Sequence, residues 1–551
     1  MDDISQSEVP GTIFIVGTDI SKLGEPDATT SNNIVLVPRP LETARDPLNW
    51  PQHKKLWTLF LATLFATVVA YGENNLGAPW TEVAEDIGVS MKDMNGGSAL
   101  NYLLLGFVNV LWIPTAMKLG RKIVYISSMT IIMLTSIWNA YLHGVVQWYL
   151  NSLVGGIGQS AYQALIQLTV FDVFFAHQRG TMLAVYVWGQ QLGSILALIL
   201  GGYIAEGPGW RWSCKIVAIL SVCCPIGTVV LLFIFTMDDS LFPRHALARS
   251  TAAHHSSTIS HRALDAQPTG DDTKKEPSAD LTREPTLAQG RADLLPRNYL
   301  HVLSPIHRWK EDKTTWWQYF RRPFHLFAFP NIIMAGLIYA FANTAGIVSF
   351  NTISEIMTDD PYNWSTGPTG LMFLAALVGS FIGMATGALG DVLTLHLARK
   401  NNGYKEPEMR LWTLAPAFVY GAVGYFMYGW AASEGDSWVL IAVGLGAMIA
   451  QQVSAASVAT AYAMECFEGI SSELVVVLAI CSSLVNFAIS YSVQPFIEAT
   501  DYGRTFTCFG ALVLASMAMA GVGVRYGKSW RRRCAARYWR FVEEGVAIGA
   551  S

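Results

Sequence analysis

The chain has 551 residues, of which 52% are hydrophobic and only 14% charged, with 18 Trp and a formal net charge of −4. Soluble domains carry roughly 25% charged residues, so this composition excludes a water-soluble globular protein and points to the bilayer. The net charge says little about partners because the charges gather in a few segments; lipid is the expected surroundings, and no nucleic-acid partner is expected.

The first 50 residues are polar, with Asp2, Asp3 and several prolines. No hydrophobic signal peptide opens the chain, so insertion is expected to use the first span itself. Residues 1–55 read as a largely disordered tail. Apolar stretches of spanning length then occur near 56–78, 96–116, 123–141, 146–171, 181–204 and 213–236. They resume near 326–350, 368–389, 411–430, 438–463, 474–492 and 506–524. A bilayer takes roughly 20 helical residues to cross, so the expectation is an all-α membrane protein of twelve spans in two six-helix bundles, 56–236 and 326–524. Residues 237–325 are rich in Ser, Thr, His, Pro and charge and cannot bury a core. They read as a largely disordered connection with an amphipathic helix around Trp309–Phe320. Residues 525–551 form a basic tail.

Span 1 ends with Tyr71, Glu73 and Asn74. Glu73 lies about 9 Å outward of the middle of the span at 1.5 Å per residue. There it is either a desolvated acid able to couple transport to proton flow, or an ordinary outer-loop carboxylate if the span ends early. Span 4 carries Gln159, Gln163 and Gln167 at i, i+4 and i+8, on one helical face. An unpaired amide in hydrocarbon costs several kcal/mol, so that face looks at a polar cavity or bonds neighbouring helices. Glycines at four-residue spacing, Gly189 and Gly193 in span 5 and Gly379, Gly383 and Gly387 in span 8, suit close or sliding helix packing. Seven cysteines at irregular spacing suggest neither a disulfide framework nor a zinc site. No metal or cofactor is expected.

With an even number of spans both ends share one side. That side holds 33 of the 37 Lys and Arg, so the positive-inside rule makes both termini cytoplasmic. Asn363-Trp364-Ser365, a glycosylation sequon, falls in the loop after span 7 on the predicted outer face. All 11 His lie in tails, loops or span ends, and no phosphate-binding glycine loop precedes Lys-Ser/Thr. Neither an enzyme nor an ATP-driven pump is therefore expected.

Two six-helix halves with a long central loop and both tails inside resemble the major facilitator superfamily. Leu119-Gly120-Arg121-Lys122 after span 2 is similar to the end of its loop signature, although Met117 and Ile113 stand at the signature's aspartate and opening-glycine positions. Gly390-Asp391, followed by Arg399-Lys400, stands at the equivalent loop after span 8. Further pieces resemble fungal drug:proton antiporters. These are Asp46-Pro47-Leu48-Asn49-Trp50-Pro51, Asp172 to Arg179-Gly180, Gly209-Trp210-Arg211-Trp212, Phe242-Pro243-Arg244 and Glu406-Pro407-Glu408-Met409-Arg410. Two motifs depart: Ser152 stands where the family often has Arg in span 4, and Ala197-Leu198 replaces the Gly-Pro that ends the antiporter signature in span 5.

The resemblance implies a central cavity lined by spans 1, 4, 7 and 10. It would be furnished by Tyr71, the three glutamines, Tyr339, Asn343, Gln451 and Gln452, with Tyr186 and Trp188 from span 5. It also implies a cytoplasmic gate built from Arg121, Lys122, Asp172, Arg179, Asp391 and Arg399. The function implied is secondary transport of a small organic molecule across the plasma membrane by a monomer. Proton-coupled efflux of a secondary metabolite, drug or toxin leads; uptake of a nutrient or cationic solute, or a non-transporting sensor on the same fold, stays open.

Overall fold

In a computed structural model of the chain, the described residues are 9–14, 30–31, 34–35, 46–175, 178–223, 315–467 and 469–548. Helices occupy all twelve expected positions. In the first half they are Gln52–Asn74, Met91–Phe107 continued by Asn109–Leu119, Arg121–Asn139, Gly144–Val173, Arg179–Glu206 and Trp210–Cys223. In the second they are Pro330–Ala342 continued by Thr344–Thr358, Thr366–Leu371 continued by Phe373–Lys400, Leu414–Glu434, Trp438–Cys466, Ser471–Ala499 and Tyr502–Ile548. Spans 1, 2, 5, 7, 8, 10, 11 and 12, eight in all, are long and apolar enough to cross a membrane by length and composition. The helix is forced by the solvent, since lipid offers backbone N–H and C=O groups no partner and only a helix satisfies them within one segment. The expected extension of span 6 to residue 236 lies outside the described residues.

One glycine sets an important turn. Span 2 ends at Leu119, and Gly120 at φ +95° reverses the chain directly into span 3, leaving Arg121 as its first residue. That backbone conformation is open to glycine and strained for other residues.

The two halves meet along two seams. Spans 2 and 11 touch where Gly106 has no Cβ: one built there would overlap Ser483 Oγ and the Ala479 carbonyl. Spans 5 and 8 touch over their length, with Gly387 facing Ala184 toward the start of span 5 and Gly370 facing the Leu198 and Ile199 carbonyls further along. The glycine stripes act as close packing within the halves. Gly193 lies against the Thr67 backbone of span 1, and Gly379 and Gly383 lie against the Gly446 and Ala450 carbonyls of span 10. The apolar cores reach across the seams at both ends. Ala461, Met464, Val475 and Val476 of the second half pack into the core of the first, while Ile195 and Leu198 of span 5 join the core of the second.

On the face that carries the chain ends, called here the terminal face, three segments are more ordered than composition suggested. The helix expected around Trp309–Phe320 runs from Trp316 to His325, started by a capping box in which Thr315 N donates to Gln318 Oε1 at 2.8 Å; residues before 315 lie outside the described ones. Span 12 continues past residue 524 as one helix to Ile548, because the basic segment has its own apolar anchors. Tyr538 packs on Phe467 at 5.4 Å between ring centroids, and Arg322 lies 4.5 Å over the Phe541 ring.

The tail segment 9–14 is strapped onto the second half. Ile13–Phe14 pairs antiparallel with Tyr404–Lys405, and Gly11 (φ +78°) sits against the Glu465 and Cys466 carbonyls. Arg531 organises this contact, with its side chain 0% exposed. It forks onto Glu408 (Nε–Oε1 2.8 Å, Nη2–Oε2 2.5 Å), and its Nη1 donates to the Pro10 carbonyl and, at 3.2 Å, to Thr12 Oγ1.

Removing one partner of a buried, hydrogen-bonded ion pair costs about 3–5 kcal/mol because the other charge is left unpaired. Arg531→Ala should therefore lower the thermal unfolding midpoint in detergent by several degrees. A matching deletion of residues 1–14, which leaves the Arg531–Glu408 pair in place, should lower it by much less. Equal midpoints for Arg531→Ala and the parent would contradict this account of the strap.

Candidate functional site

Near the middle of the molecule a set of amides and phenols bridges the halves. Gln167 of span 4 lies beside the hydroxyls of Tyr186 (span 5) and Tyr339 (span 7). Tyr339 in turn neighbours Asn343, which interrupts span 7 and donates from Nδ2 to Ser482 Oγ of span 11 at 3.2 Å. Gln452 of span 10 faces the span at Gly346, just beyond that interruption. Several of these groups retain hydrogen-bonding capacity. Gln167 Oε1, Tyr186 Oη, Gln452 Oε1 and Thr344 Oγ1 are buried without a hydrogen-bond partner. Buried polar atoms are generally satisfied in folded proteins; single unpaired ones also occur elsewhere in this chain, and it is the meeting of amides and phenols from both halves here that marks a place suited to a hydrogen-bonding guest.

Other expected cavity residues are placed differently. Gln159 accepts from Asn101 Nδ2 of span 2 at 3.0 Å, and the same amide lies 3.4 Å from the Ser152 carbonyl. This residue therefore ties spans 2 and 4 together. Gln451 points away from the seam, against Gly421 of span 9 and Met517 of span 12, whose sulfur lies 3.7 Å from its Nε2. Successive helical residues diverge by about 100°, so Gln451 and Gln452 cannot share a face. Tyr71 packs with Ala197 and Val217 of spans 5 and 6. Trp188 packs with tilted rings against Phe381 of span 8, 5.0 Å between centroids, in the seam between the halves. The Gln163 side chain lies outside the described residues.

Glu73 belongs to span 1 itself, in its last turn, and not to an outer loop. Tyr162 of span 4 donates to Glu73 Oε2 at 3.4 Å, and Gln190 Nε2 of span 5 donates to the Tyr162 oxygen at 3.0 Å. Tyr102 of span 2 is a further close neighbour. Among the described residues no cation pairs with Glu73. Next to it, Asn74 Nδ2 donates to Ser194 Oγ of span 5 at 3.1 Å. Sequence reasoning missed Tyr162 and Gln190. Tyr162 stands three residues after Gln159 on the polar stripe, so helical spacing alone could have found it.

On the terminal face, Arg121 at the start of span 3 pairs with Asp172 at the end of span 4. Arg179 is buried and donates to the Phe174 and Phe171 carbonyls at 3.1 and 3.2 Å, capping span 4. Lys122, next to Arg121 in sequence, is also buried. Asp391 of span 8 crosses to the other half. Its Oδ2 accepts from the Thr181 backbone N–H at 2.6 Å and the Thr181 hydroxyl at 2.7 Å, at the start of span 5. The cation on Asp391 is Arg410, at 2.6 Å. Arg399 is exposed; it lies two turns beyond Asp391, about 12 Å along the helix, whereas the following loop folds Arg410 back underneath.

Arg410 also pairs with Glu465 of span 10 at 2.7 Å, and Lys405 reaches the same carboxylate at 2.9 Å. Burial by itself would lower the Arg410 guanidinium pKa, but Glu465 and Asp391 together hold it above its ordinary range. On the opposite, far face, Asn363 is exposed and donates to Asp360 Oδ1 at 2.6 Å.

Comparison with known proteins agrees with this architecture. Residues 59–466 match the model of the Major Facilitator Superfamily. Among similar proteins are an uncharacterized MFS-type transporter of Schizosaccharomyces pombe, 26% identical with 97% of this chain and 94% of the relative covered, and protein HOL1 of Saccharomyces cerevisiae, 25% identical with 92% of each covered. The efflux pump vrtL of Penicillium aethiopicum is 23% identical, with 90% of this chain and 88% of the pump covered. The proton:xylose symporter XylE shares the fold at a TM-score of 0.56 and 13% identity, over 86% of this chain and 97% of that one. The chain belongs to the major facilitator superfamily and is a multi-pass membrane protein of the transporter type.

The divergence of the two neighbouring amides in span 10 can be checked directly. Replacing a buried, poorly satisfied amide by an apolar group of similar size is close to neutral for stability. Gln451→Leu should therefore keep stability and transport near those of the parent, whereas Gln452→Leu should keep stability and lower transport about tenfold. Equal transport losses in both variants, measured in vesicles, would refute the assignment of faces.

Proposed function

We propose that this member of the superfamily is a proton-coupled exporter of a small organic molecule in the plasma membrane. The observation that carries the reading is the group of buried, unpaired amide and phenol atoms at the seam between the halves. A solute that satisfies Gln167, Tyr186 and Gln452 would be held where two rigid halves can expose it to either side in turn. The mixture of phenols and amides suits an amphipathic guest with several hydrogen-bonding groups. The terminal face is read as cytoplasmic because 33 of the 37 Lys and Arg lie there or in its tails. Asn363, exposed on the far face, is then available for glycosylation.

Glu73 is assigned the proton. An ionised carboxylate within a span is costly unless a cation or good donors offset it, and among the described residues only the Tyr162 hydroxyl, at 3.4 Å, donates to it. Charged, Glu73 accepts from Tyr162, which accepts from Gln190, so spans 1, 4 and 5 are tied by one chain of donors. Protonated, its own O–H can donate, and the pull on Tyr162 is lost. Proton uptake and release thereby alter the contacts among three spans that must shift together. Asp391, Arg410 and Glu465, with the Arg121–Asp172 pair, act as the cytoplasmic gate. Efflux is favoured over uptake by overall likeness to fungal antiporters and to relatives named as efflux proteins, including the MFS antiporter QDR3 of Candida albicans.

Two measurements test the reading. Glu73→Gln keeps size and much of the hydrogen bonding but cannot titrate, so it should abolish gradient-driven accumulation in vesicles while sparing substrate exchange. Proton-dependent accumulation surviving in that variant would move the coupling to another acid. For direction, deletion of the gene should raise the intracellular to extracellular ratio of the transported compound across a panel of candidate solutes. Loss of uptake with unchanged efflux would reverse the assignment.

A further inference from the structure

Spans 5 and 8 run antiparallel, so each begins where the other ends. On the terminal face the first turn of span 5 holds Arg179, Gly180 and Thr181. The Thr181 N–H and hydroxyl both donate to Asp391 of span 8, and a Cβ on Gly180 would overlap that carboxylate. The far face repeats this arrangement with the helices exchanged. The first turn of span 8 holds Thr366 and Gly367 after Ser365. The Gly367 N–H donates to Oε1 of Glu206, the last residue of span 5, at 2.8 Å. The Ser365 hydroxyl lies beside the same carboxylate, and a Cβ on Gly367 would overlap it. Gly202 completes the seat, because a Cβ there would meet the Thr366 carbonyl oxygen at 2.6 Å.

Each end thus has the same parts: a helix start, a hydroxyl, a glycine without which the carboxylate could not approach, and a carboxylate lent by the opposite half. Unsatisfied N–H groups and the positive end of the helix dipole favour an anion at both places. Between them the seam is mostly apolar, with Trp188 against Phe381 and Leu198 against Gly370, and among the described residues no hydrogen bond joins the two helices there.

We propose that Glu206 is the far-face latch of the transport cycle, holding the outer ends of spans 5 and 8 together as Asp391 holds their inner ends. This rests on the alternating-access reading given above. The apolar middle of the seam serves as the pivot: releasing Glu206 lets the outer ends part while Asp391 keeps the inner ends closed, and releasing Asp391 does the reverse. Glu206 is a positioning residue, touching neither the amide and phenol group nor Glu73.

The test uses the full chain in liposomes with Tyr339→Cys as a reporter at the seam, with the reporter-free chain giving the background from native cysteines. A membrane-impermeant maleimide added from the far-face side should label the reporter about threefold faster in Glu206→Gln than in the parent, the factor expected for loss of one charged contact made by an exposed carboxylate. Added from the terminal-face side, it should label that variant more slowly. Asp391→Asn should show the opposite pattern. Gly367→Ala keeps the carboxylate but fills its seat, so it should behave like Glu206→Gln even if the latter folds poorly. Equal acceleration from both sides, or no change in Glu206→Gln and Gly367→Ala, overturns the proposal. Opposite labelling shifts, when the reporter-free chain with native Tyr339 moves no solute, would keep the latch and refute the transporter reading, whereas solute flux by that chain without the shifts would refute the latch alone.

Discussion

The contact between spans 5 and 8 is the constraint around which the rest of this molecule is arranged. Two helices from different halves lie against each other from one end to the other, close enough that Gly180, Gly202 and Gly367 must lack side chains. In lipid, helix association has little hydrophobic drive of its own and depends on close packing and a few polar contacts. Among the described residues the hydrogen bonds between them stand at the two ends, Thr181 with Asp391 and Gly367 with Glu206, while the middle is mostly apolar. A seam built in this way is firm when both ends are engaged and hinged when one is released. The amide and phenol group around Gln167, Tyr339 and Asn343 lies between these ends, where relative motion of the halves would change access to it.

The halves must themselves be stiff for such a seam to matter. In the second half, stiffness at the terminal face comes from buried charge. Arg410 joins spans 8 and 10 through Asp391 and Glu465, Lys405 adds to Glu465, and Arg531 clamps Glu408 together with the tail strap. Breaking any of these would leave an unpaired charge in a low-dielectric setting, which is more costly than never having placed the pair there. The first half uses fewer parts, chiefly Arg121 on Asp172 and the capping of span 4 by Arg179. Asp391 is the point where this static network meets the moving seam, since one oxygen holds Arg410 within its own half and the other holds span 5 across the divide.

Much of this was legible in the sequence, for identifiable reasons. The twelve helices were, because a bilayer demands roughly 20 apolar residues per crossing and water-soluble alternatives could not accommodate the composition. Asp391 and the Arg121 and Asp172 positions were legible through motifs, although Arg410 was not, because its approach depends on how the loop after span 8 folds back. Helix phase was the weakest inference. Where a span is buried all round, hydropathy gives no preferred face. Gln451 and Tyr71 were therefore assigned to the centre, while packing turns them toward spans 9 and 12 and spans 5 and 6. The strap at residues 9–14 was hidden for a different reason: two paired residues have no periodicity, and the order there is supplied by Arg531, more than 500 positions away.

The account's central claim is that the two ends of the span 5 and span 8 seam open in alternation. The most direct measurement is of distance distributions between paired spin labels in liposomes. One pair would sit on the exposed residues Tyr203 and Leu371 at the far face; the other would sit on Gln178 and Arg399 at the terminal face. Shifting the proton gradient or adding a transported solute should lengthen one distance while the other stays short, and reversing the condition should exchange them. Two distances that lengthen together, or that stay fixed under conditions where solute is moving, would contradict the account.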